Sequence, residues 1–171
     1  MPAGSVDPVE YRRVVGRFAT GITVVTTQVD GAHHAMTVSS FTSVSLEPVL
    51  VLVSVEKIAR FHEAVLAAGT WGVSVLAAGP EDVARWFATR GRPSTEEQFD
   101  GIRHRLGSLT GSVLLDEALA TLECQTVSVT DAGDHSVVLG EVLAVDRPAA
   151  GEPLLYFDSR YHSFNPAGRR D

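Results

Sequence analysis

The sequence predicts a mainly β protein, a small barrel or sandwich of six or seven strands with about three flanking helices. Runs rich in β-branched residues recur along the chain, and tight-turn signals separate several of them. A parallel α/β sheet would instead place a crossover helix after each strand, and the helical patterns here are too few for that. The strands are therefore expected to be mostly antiparallel.

A helix is predicted near the start of the chain. Asp7 suits the N-cap, Pro8 fits the first helical position, and Glu10 completes the spacing of a capping box. One apolar face follows at helical spacing, formed by Tyr11, Val14, Val15 and Phe18. Gly21 suits the end of this helix.

The remaining elements follow in order. Strands are predicted at 22–29, 32–38, 49–55, 71–76, 119–130, 135–145 and 154–157. Asp30-Gly31 is a tight-turn signal between the first two, and residues 131–134 form the turn of the long pair. Further helices are expected at 59–67, ending at Gly69, and from Pro80-Glu81-Asp82, with Val83, Trp86 and Phe87 as its buried side.

Two stretches are predicted to be connections. The polar residues 39–43, with Leu46-Glu47-Pro48 after them, lead into the apolar strand at 49–55. Residues 89–112 combine several Gly, Arg and acidic residues and indicate a long loop with modest local order.

Length and composition predict one domain over residues 1–171. The 171 residues are 44% hydrophobic and 20% charged, as in ordinary globular proteins. The core is expected at about 9–163, with flexible tails at 1–7 and 164–171. The net charge of -7 argues against a generic nucleic-acid or anionic-membrane binder.

Localisation is predicted to be cytoplasmic. The N-terminal sequence lacks an apolar stretch of the signal-peptide kind, and no apolar run approaches the ~20 residues of a membrane-spanning helix. The single cysteine, Cys124, cannot form an internal disulfide and is expected to be a small buried apolar side chain.

Several common site motifs do not occur in the sequence. It holds no GxG pair, no phosphate loop ending GK[ST], and no CxxC, HExxH or GxSxG motif. His33 and His34 would face opposite sides of a strand, and the other histidines are scattered, so no metal site is expected.

The segment from Met36 to Arg60 carries the first candidate site. Hydroxyl residues crowd the end of one strand and the residues after it: Thr37, Ser39, Ser40, Thr42, Ser43 and Ser45. They suit hydrogen bonds to an anion or a polar chain, or they satisfy only their own backbone. Lys57 and Arg60 then flank the start of a helix, which suits a phosphate or is a solvated first turn.

Two more candidates follow later in the chain. Gly133-Asp134-His135 lies in the turn of the long strand pair, and Arg160-Tyr161-His162 follows the last predicted strand. The first is a common turn composition, and the second offers an aromatic and a titratable ring that could line a cleft.

Six segments together resemble the flavin reductase family with the flavin-binding split-barrel fold, the reductase components of two-component flavin-dependent monooxygenases. The matching segments are GRFATGITVVTT at 16–27, MTVSSFTSVSLEP at 36–48, VLVLVSVEK at 49–57, LATLEC at 119–124, GDHSVVLGEV at 133–142 and PLLYFDSRYH at 153–162. No single segment is decisive, but their order and spacing make the match specific.

The resemblance implies a six-stranded antiparallel Greek-key barrel, a homodimer, and a flavin groove near the dimer interface. By resemblance, the isoalloxazine and ribityl chain would contact Met36, Thr37, Val38, Ser39 and Ser40, with Phe87 near the ring. The phosphate end would be held by Ser54, Val55, Lys57 and Arg60. The nicotinamide side would contain Gly133, Asp134, His135, Tyr161 and His162, with His135 positioning NADH or NADPH.

The resemblance also implies the activity. It predicts an enzyme, an NAD(P)H:flavin oxidoreductase that reduces FMN or FAD and supplies reduced flavin to a separate monooxygenase. The ring chemistry belongs to the two cofactors, so no strong acid, base or nucleophile is required of the protein. The alternative is a carrier or sensor module that retains FMN without turning over free flavin.

The sequence departs from the family at the phosphate end. Ile58-Ala59 follows Lys57 where relatives commonly have small hydroxyl residues. This difference would leave more of the phosphate binding to Lys57 and Arg60.

Overall fold

The computed structural model of the chain describes residues 6–79, 81–93 and 96–164. Its helices are α1 (Pro8–Val15), α2 (Arg60–Ala68) and α3 (Glu81–Ala88), with a short 3₁₀ helix at Glu96–Phe99. Its strands are β1 (Thr20–Gly21), β2 (Thr23–Val29), β3 (Ala32–Val38), β4 (Thr42–Leu46), β5 (Val49–Glu56), β6 (Thr70–Val75), β7 (His104–Leu106), β8 (Val113–Leu115), β9 (Ala120–Ala132), β10 (His135–Asp146), β11 (Leu154–Phe157) and β12 (Arg160–Ser163).

A seven-stranded antiparallel sheet dominates the fold. Its strand order is β3-β2-β6-β9-β10-β5-β4, and the long β9–β10 hairpin lies near its middle. A three-stranded sheet, β1-β11-β12, and the pair β7-β8 complete the described strands. The predicted mainly β class with antiparallel strands and three helices is confirmed.

The sheet curls so that its β3 edge approaches β5. The Oγ of Ser40, just after β3, donates to the Ser54 carbonyl at 2.9 Å and accepts from the Ser54 amide at 3.0 Å. No strand ladder joins β3 to β5 within the described residues. The six-stranded Greek-key barrel expected from the resemblance is therefore not confirmed in that detail.

The predicted connection after β3 is wrong for Thr42–Leu46. These residues form edge strand β4, which pairs with β5 through a register irregularity between Ser43 and Ser45. Most of the strand is exposed, so its sequence lacks the alternation of apolar and polar residues that indicates a half-buried strand. Backbone pairing, rather than burial of side chains, forms this element.

Short elements also occupy the predicted loop at 89–112. The 3₁₀ helix Glu96–Phe99 buries Gln98 and Phe99, and β7 pairs with β8. Strands this short carry too few residues for a periodic signal. Pro80, predicted to open α3, lies outside the described residues, as do residues 1–5 and 165–171 of the predicted tails.

Helix α1 begins as predicted and ends earlier than predicted. The Val9 amide donates to Asp7 Oδ1 at 3.0 Å, whereas Glu10 contacts Arg13 at 3.4 Å instead of completing the capping box. The helix ends at Val15, before Gly16, rather than near Gly21. None of its residues is buried, and Tyr11 is 57% exposed.

Two apolar clusters form the core. One lies within the curled sheet and against α2, around Val53, Val65 and Trp71. The other joins α3, the 3₁₀ helix and β8 around Phe87, Phe99 and Val113. Among the described residues, no helix has the length and apolar character needed to cross a membrane.

Candidate functional site

The turn after β5 is joined to the β9–β10 hairpin. The Lys57 ammonium donates to Asp131 Oδ2 at 2.5 Å and to the Gly133 carbonyl at 2.7 Å. The Lys57 amide also donates to the Asp134 carbonyl at 2.9 Å. The turn after β5 is assigned by resemblance to the flavin phosphate (the phosphate-end turn), and Gly133-Asp134-His135 to the nicotinamide (the GDH turn). These two turns therefore meet at one end of the sheet.

The hairpin carries an exposed Asp-His pair. His135 Nδ1 lies 2.7 Å from Asp134 Oδ1, and His135 is in register with Glu56 of β5. The hydrogen bond from His135, followed by its charge, holds the pKa of Asp134 below its usual range, and Arg12 adds a smaller contribution. The His135 ring is thus oriented by its neighbour at the start of β10, at one end of the sheet.

The hydroxyl groups at the end of β3 are partly used by the fold itself. Thr37 Oγ1 donates to the Ala84 carbonyl of α3 at 2.8 Å, and Ser40 bonds Ser54 as described above. Met36 is half-buried beside the core within the sheet, Val38 is buried, and Ser39 is exposed. These residues form one continuous strand end, in which the hydroxyls of Thr37 and Ser40 already have partners.

Two predicted site side chains are fully buried. Val55 is 0% exposed, so only its backbone could contact a ligand. Phe87 is 1% exposed and packs 5.5 Å from Phe99, centroid to centroid. Its assignment beside the flavin ring stays a prediction, and it would require the neighbours of the ring to move.

Lys57 and Arg60 flank the start of α2, which lacks a side-chain cap and also carries the acidic Glu63 in its first turn. Its N-cap residue, Ala59, makes no capping hydrogen bond, and Arg60 is the first helical residue. An ammonium, a guanidinium and an uncapped helix start are a donor set that suits a phosphate. The residues present therefore fit the phosphate end of a flavin nucleotide.

Arg60 is held by a residue that the motifs did not single out. Its Nη2 donates to the Arg92 carbonyl at 2.9 Å, while the Arg92 guanidinium bonds carbonyls of Phe87 and Thr89 at 3.0 and 2.9 Å. Burial, followed by the charge of Arg60, lowers the pKa of Arg92 to about 10. The only sequence signal for this residue is its place in the arginine-rich stretch after α3.

Tyr161 and His162 lie in the separate three-stranded sheet. The Arg85 guanidinium is 4.9 Å from the Tyr161 ring centroid, and Tyr156 lies 5.3 Å from it. Burial, followed by the charge of Tyr156, raises the pKa of Tyr161. His162 Nε2 lies 3.2 Å from the Phe157 carbonyl. None of these contacts reaches the GDH turn, so their place on the nicotinamide side stays a prediction.

A cleft of about 690 Å³ lies elsewhere, between α3, the residues before β7 and those after β8. Its walls include Val83, Trp86, Ile102 and Leu115, and no predicted site residue lines it. We place the candidate site at the Lys57 turn and not in this cleft, because the one cation among the residues that line the cleft, Arg103, pairs with Glu117 at 2.8 Å.

Cysteine and metal chemistry find no support within the described residues. Cys124 is a buried free thiol whose pKa is raised by burial to about 12, which suits the predicted apolar role. The described residues contain no group of three or more His, Cys, Asp or Glu arranged to hold a metal ion.

Comparisons with known proteins show the family of the chain. A family model described as "Flavin reductase like domain" matches residues 15–165. An NADH-dependent FAD reductase of Streptomyces globisporus is 46% identical over 169 residues, covering 96% of this chain and 92% of that protein. The NADH-dependent flavin reductase StyB of Pseudomonas fluorescens is 36% identical, covering 94% of this chain and 92% of its own length.

Solved structures show the same similarity. BorF, the flavin reductase component of a bacterial two-component tryptophan halogenase, superposes with a TM-score of 0.87 at 43% identity, covering 92% of this chain and 98% of that one. The Streptomyces globisporus NADH:FAD oxidoreductase SgcE6, solved with NAD and FAD fragments, gives 0.87 at 43% identity and covers 96% of this chain and 99% of that one.

Proposed function

Because the chain belongs to the flavin reductase-like domain family, we propose that it is an NAD(P)H-dependent flavin reductase that transfers hydride to FMN or FAD. It supplies the reduced flavin to a separate oxygenase. The observation that carries this proposal is the contact of Lys57 with Asp131 and Gly133, which joins the phosphate-end turn to the nicotinamide-side hairpin.

Different residues bind the two nucleotides. Lys57 and Arg60 hold the flavin phosphate beside the uncapped start of α2. The end of β3, from Met36 to Ser40, lines the ring and ribityl chain, and His135 positions the nicotinamide. A bound flavin supplies the hydride-accepting ring, so the chain's own task is to hold two planar rings in contact.

NADH is the proposed hydride donor. Several relatives are named NADH-dependent, with FAD in one name and FMN in another. Others are named reductase subunits of flavin-dependent monooxygenases, and a solved relative serves a halogenase. The partner of this chain is accordingly a flavin-dependent oxygenase or halogenase that receives free reduced flavin.

The assembly is proposed to be a homodimer of single-domain subunits, with the barrel closed as in the expected split-barrel fold. Exposed apolar side chains on β4, β9 and β10 support a dimer face: Val44, Leu46, Val127, Val129, Leu143 and Val145. The Ser40–Ser54 contact supports closure of the sheet. A cytoplasmic location is supported by the free cysteine.

The rival function is a module that retains its flavin. Equilibrium dialysis of the flavin-loaded protein, after reduction by NADH under anaerobic conditions, separates the two. The reductase proposal expects flavin to equilibrate across the membrane. Stoichiometric flavin that stays with the protein in both redox states would favour the retaining module instead.

A further inference from the structure

Arg92 joins elements that come from distant parts of the chain. Its Nη1 donates to the carbonyls of Phe87 and Thr89 at the end of α3, and its Nη2 donates to the Ala35 carbonyl of β3. The guanidinium carbon lies 5.5 Å from the Phe87 ring centroid. These contacts fix the backbone of residues 89–92 against the strand that leads to the predicted flavin ring site.

The same residue orients Arg60. The Arg92 carbonyl accepts a hydrogen bond from Arg60 Nη2 at 2.9 Å. A free arginine side chain samples many rotamers, and fixing it before a ligand binds reduces the entropy lost on binding. The fixed Arg92 backbone therefore prepares an otherwise mobile guanidinium beside the start of α2.

The two guanidinium groups are not neutralised by carboxylates. Within the described part of the chain, no ion pair involves Arg60 or Arg92, whereas nearby Arg90 contacts both carboxylate oxygens of Glu56 at 2.7 and 2.9 Å. The pKa of His34 is lowered by burial, and then by the charges of Arg60, His33 and Arg92. These two unpaired positive charges favour an anion, and they lie near a helix start that has no side-chain cap and one acidic residue, Glu63, in its first turn.

We propose that Arg92 is a positioning residue of the flavin phosphate subsite, where it orients Arg60 and adds a second positive charge beside it. Arg60 touches the phosphate, and Arg92 acts through Arg60. The subsite thereby favours flavins that carry phosphate over riboflavin, which carries none. This inference rests on the proposed function.

Calorimetric titration with riboflavin, FMN and FAD tests the inference. The variants are Arg92→Met, Arg92→Lys and the matched control Arg90→Met, which removes an exposed arginine of the same segment. We expect Arg92→Met to weaken the binding of FAD, or of both FAD and FMN, by about fivefold or more, with riboflavin binding changed less than twofold. Arg92→Lys restores part of the loss, and Arg90→Met leaves all three affinities near wild type.

Separate outcomes overturn the inference and the function. Equal losses for riboflavin and for the phosphorylated flavins would mean that Arg92 has a purely structural role, and an unchanged preference for phosphate would also overturn the inference. A wild-type protein that binds none of the three flavins would overturn the proposed function as well. Thermal unfolding shows whether each variant folds. If Arg92→Met does not fold, Arg60→Met gives the same comparison of the three flavins, because it leaves the contacts of the Arg92 guanidinium in place.

Comparing FMN with FAD identifies the phosphate that the subsite takes. A loss confined to FAD assigns Arg60 and Arg92 to the second phosphate of a diphosphate. An equal loss for FMN and FAD assigns them to the phosphate that both flavins share. Either result supports the positioning role.

Discussion

Lys57 Nζ lies 2.5 Å from Asp131 Oδ2, an ion pair that links the turn after β5 to the β9–β10 hairpin across 74 residues of sequence. Asp131 is 79% exposed, so water screens this pair and its contribution to folding stability is small. Its importance is positional, because it keeps the ammonium beside the hairpin that carries His135.

Replacing Lys57 tests its proposed phosphate contact. We expect Lys57→Ala to weaken flavin binding by about 1.5 to 3 kcal/mol, the range of a charge-assisted hydrogen bond. Fluorescence titration of FMN or FAD measures the change. Arg147→Ala removes the same charge just beyond the opposite end of β10 and is expected to leave affinity unchanged. A wild-type titration curve for Lys57→Ala would remove the lysine from the site.

The Lys57–Asp131 ion pair is also expected to depend on pH. The hydrogen bond from Lys57, followed by its charge, lowers the pKa of Asp131, so the pair is intact above the ordinary carboxyl pKa. It is lost as the pH falls through the lowered value. In NMR titrations, Lys57→Ala should raise the pKa of Asp131 toward its ordinary value. The pKa of Asp134, lowered mainly by His135, should not move, and a parallel shift of both would contradict the pairing.

His135 is predicted to act on the nicotinamide rather than on the flavin. We expect His135→Ala to raise the KM for NADH by about threefold to tenfold, with a smaller effect on the KM for flavin. Steady-state kinetics with each substrate varied in turn gives both constants. His104→Ala, on β7 away from the hairpin, serves as the control. Equal changes in both KM values would remove the nicotinamide assignment.

Glu123 provides a stability test outside the site. The residue is 4% exposed, and its carboxylate accepts hydrogen bonds from the Leu109 and Thr110 amides and from Thr110 Oγ1 at 2.7 to 2.9 Å. Burial acts to raise the pKa of Glu123, but the hydrogen bonds from Thr110 and its neighbours outweigh burial and lower it overall. We expect Glu123→Gln to lower the free energy of unfolding at pH 7 by about 1 to 3 kcal/mol.

The pH dependence of that loss follows from the lowered pKa. The stabilisation is present above the carboxyl pKa of the unfolded chain and disappears as the pH falls through the folded value. Urea unfolding should therefore show the wild type and Glu123→Gln converging in acid. Glu117→Gln alters an exposed pair with Arg103 and should change little. A constant gap at all pH values would contradict the account of Glu123.

Local signals were enough to predict much of the sheet. The β2–β3 hairpin follows from β-branched runs around Asp30-Gly31, where both residues take positive φ angles, 49° and 81°. The long β9–β10 pair around Gly133 was predicted for the same reason. Strand β4 could not be predicted in this way, because its exposed residues pair by backbone alone.

The candidate site was harder to predict from the sequence, because contacts between residues far apart in the chain determine the environment of its side chains. Nothing local distinguishes Arg92 from Arg90, yet Arg92 bonds Ala35, 57 residues earlier in the chain, whereas Arg90 pairs with Glu56. Phe87 was correctly predicted on the buried side of α3, and that burial is in tension with its second predicted role beside the flavin ring. Helical periodicity likewise identified the apolar face of α1, although no residue of that helix is buried in the structure.

Turnover of free flavin tests the central claim most directly. Purified protein is mixed with NADH and an excess of FMN or FAD, in separate anaerobic reactions, while the nicotinamide and flavin absorbance bands are followed. We expect many equivalents of flavin to be reduced per protein, with one NADH consumed per flavin. Reduction that stops at one flavin per protein would contradict the proposed function. So would the absence of nicotinamide oxidation with both flavins when NADH and then NADPH is supplied.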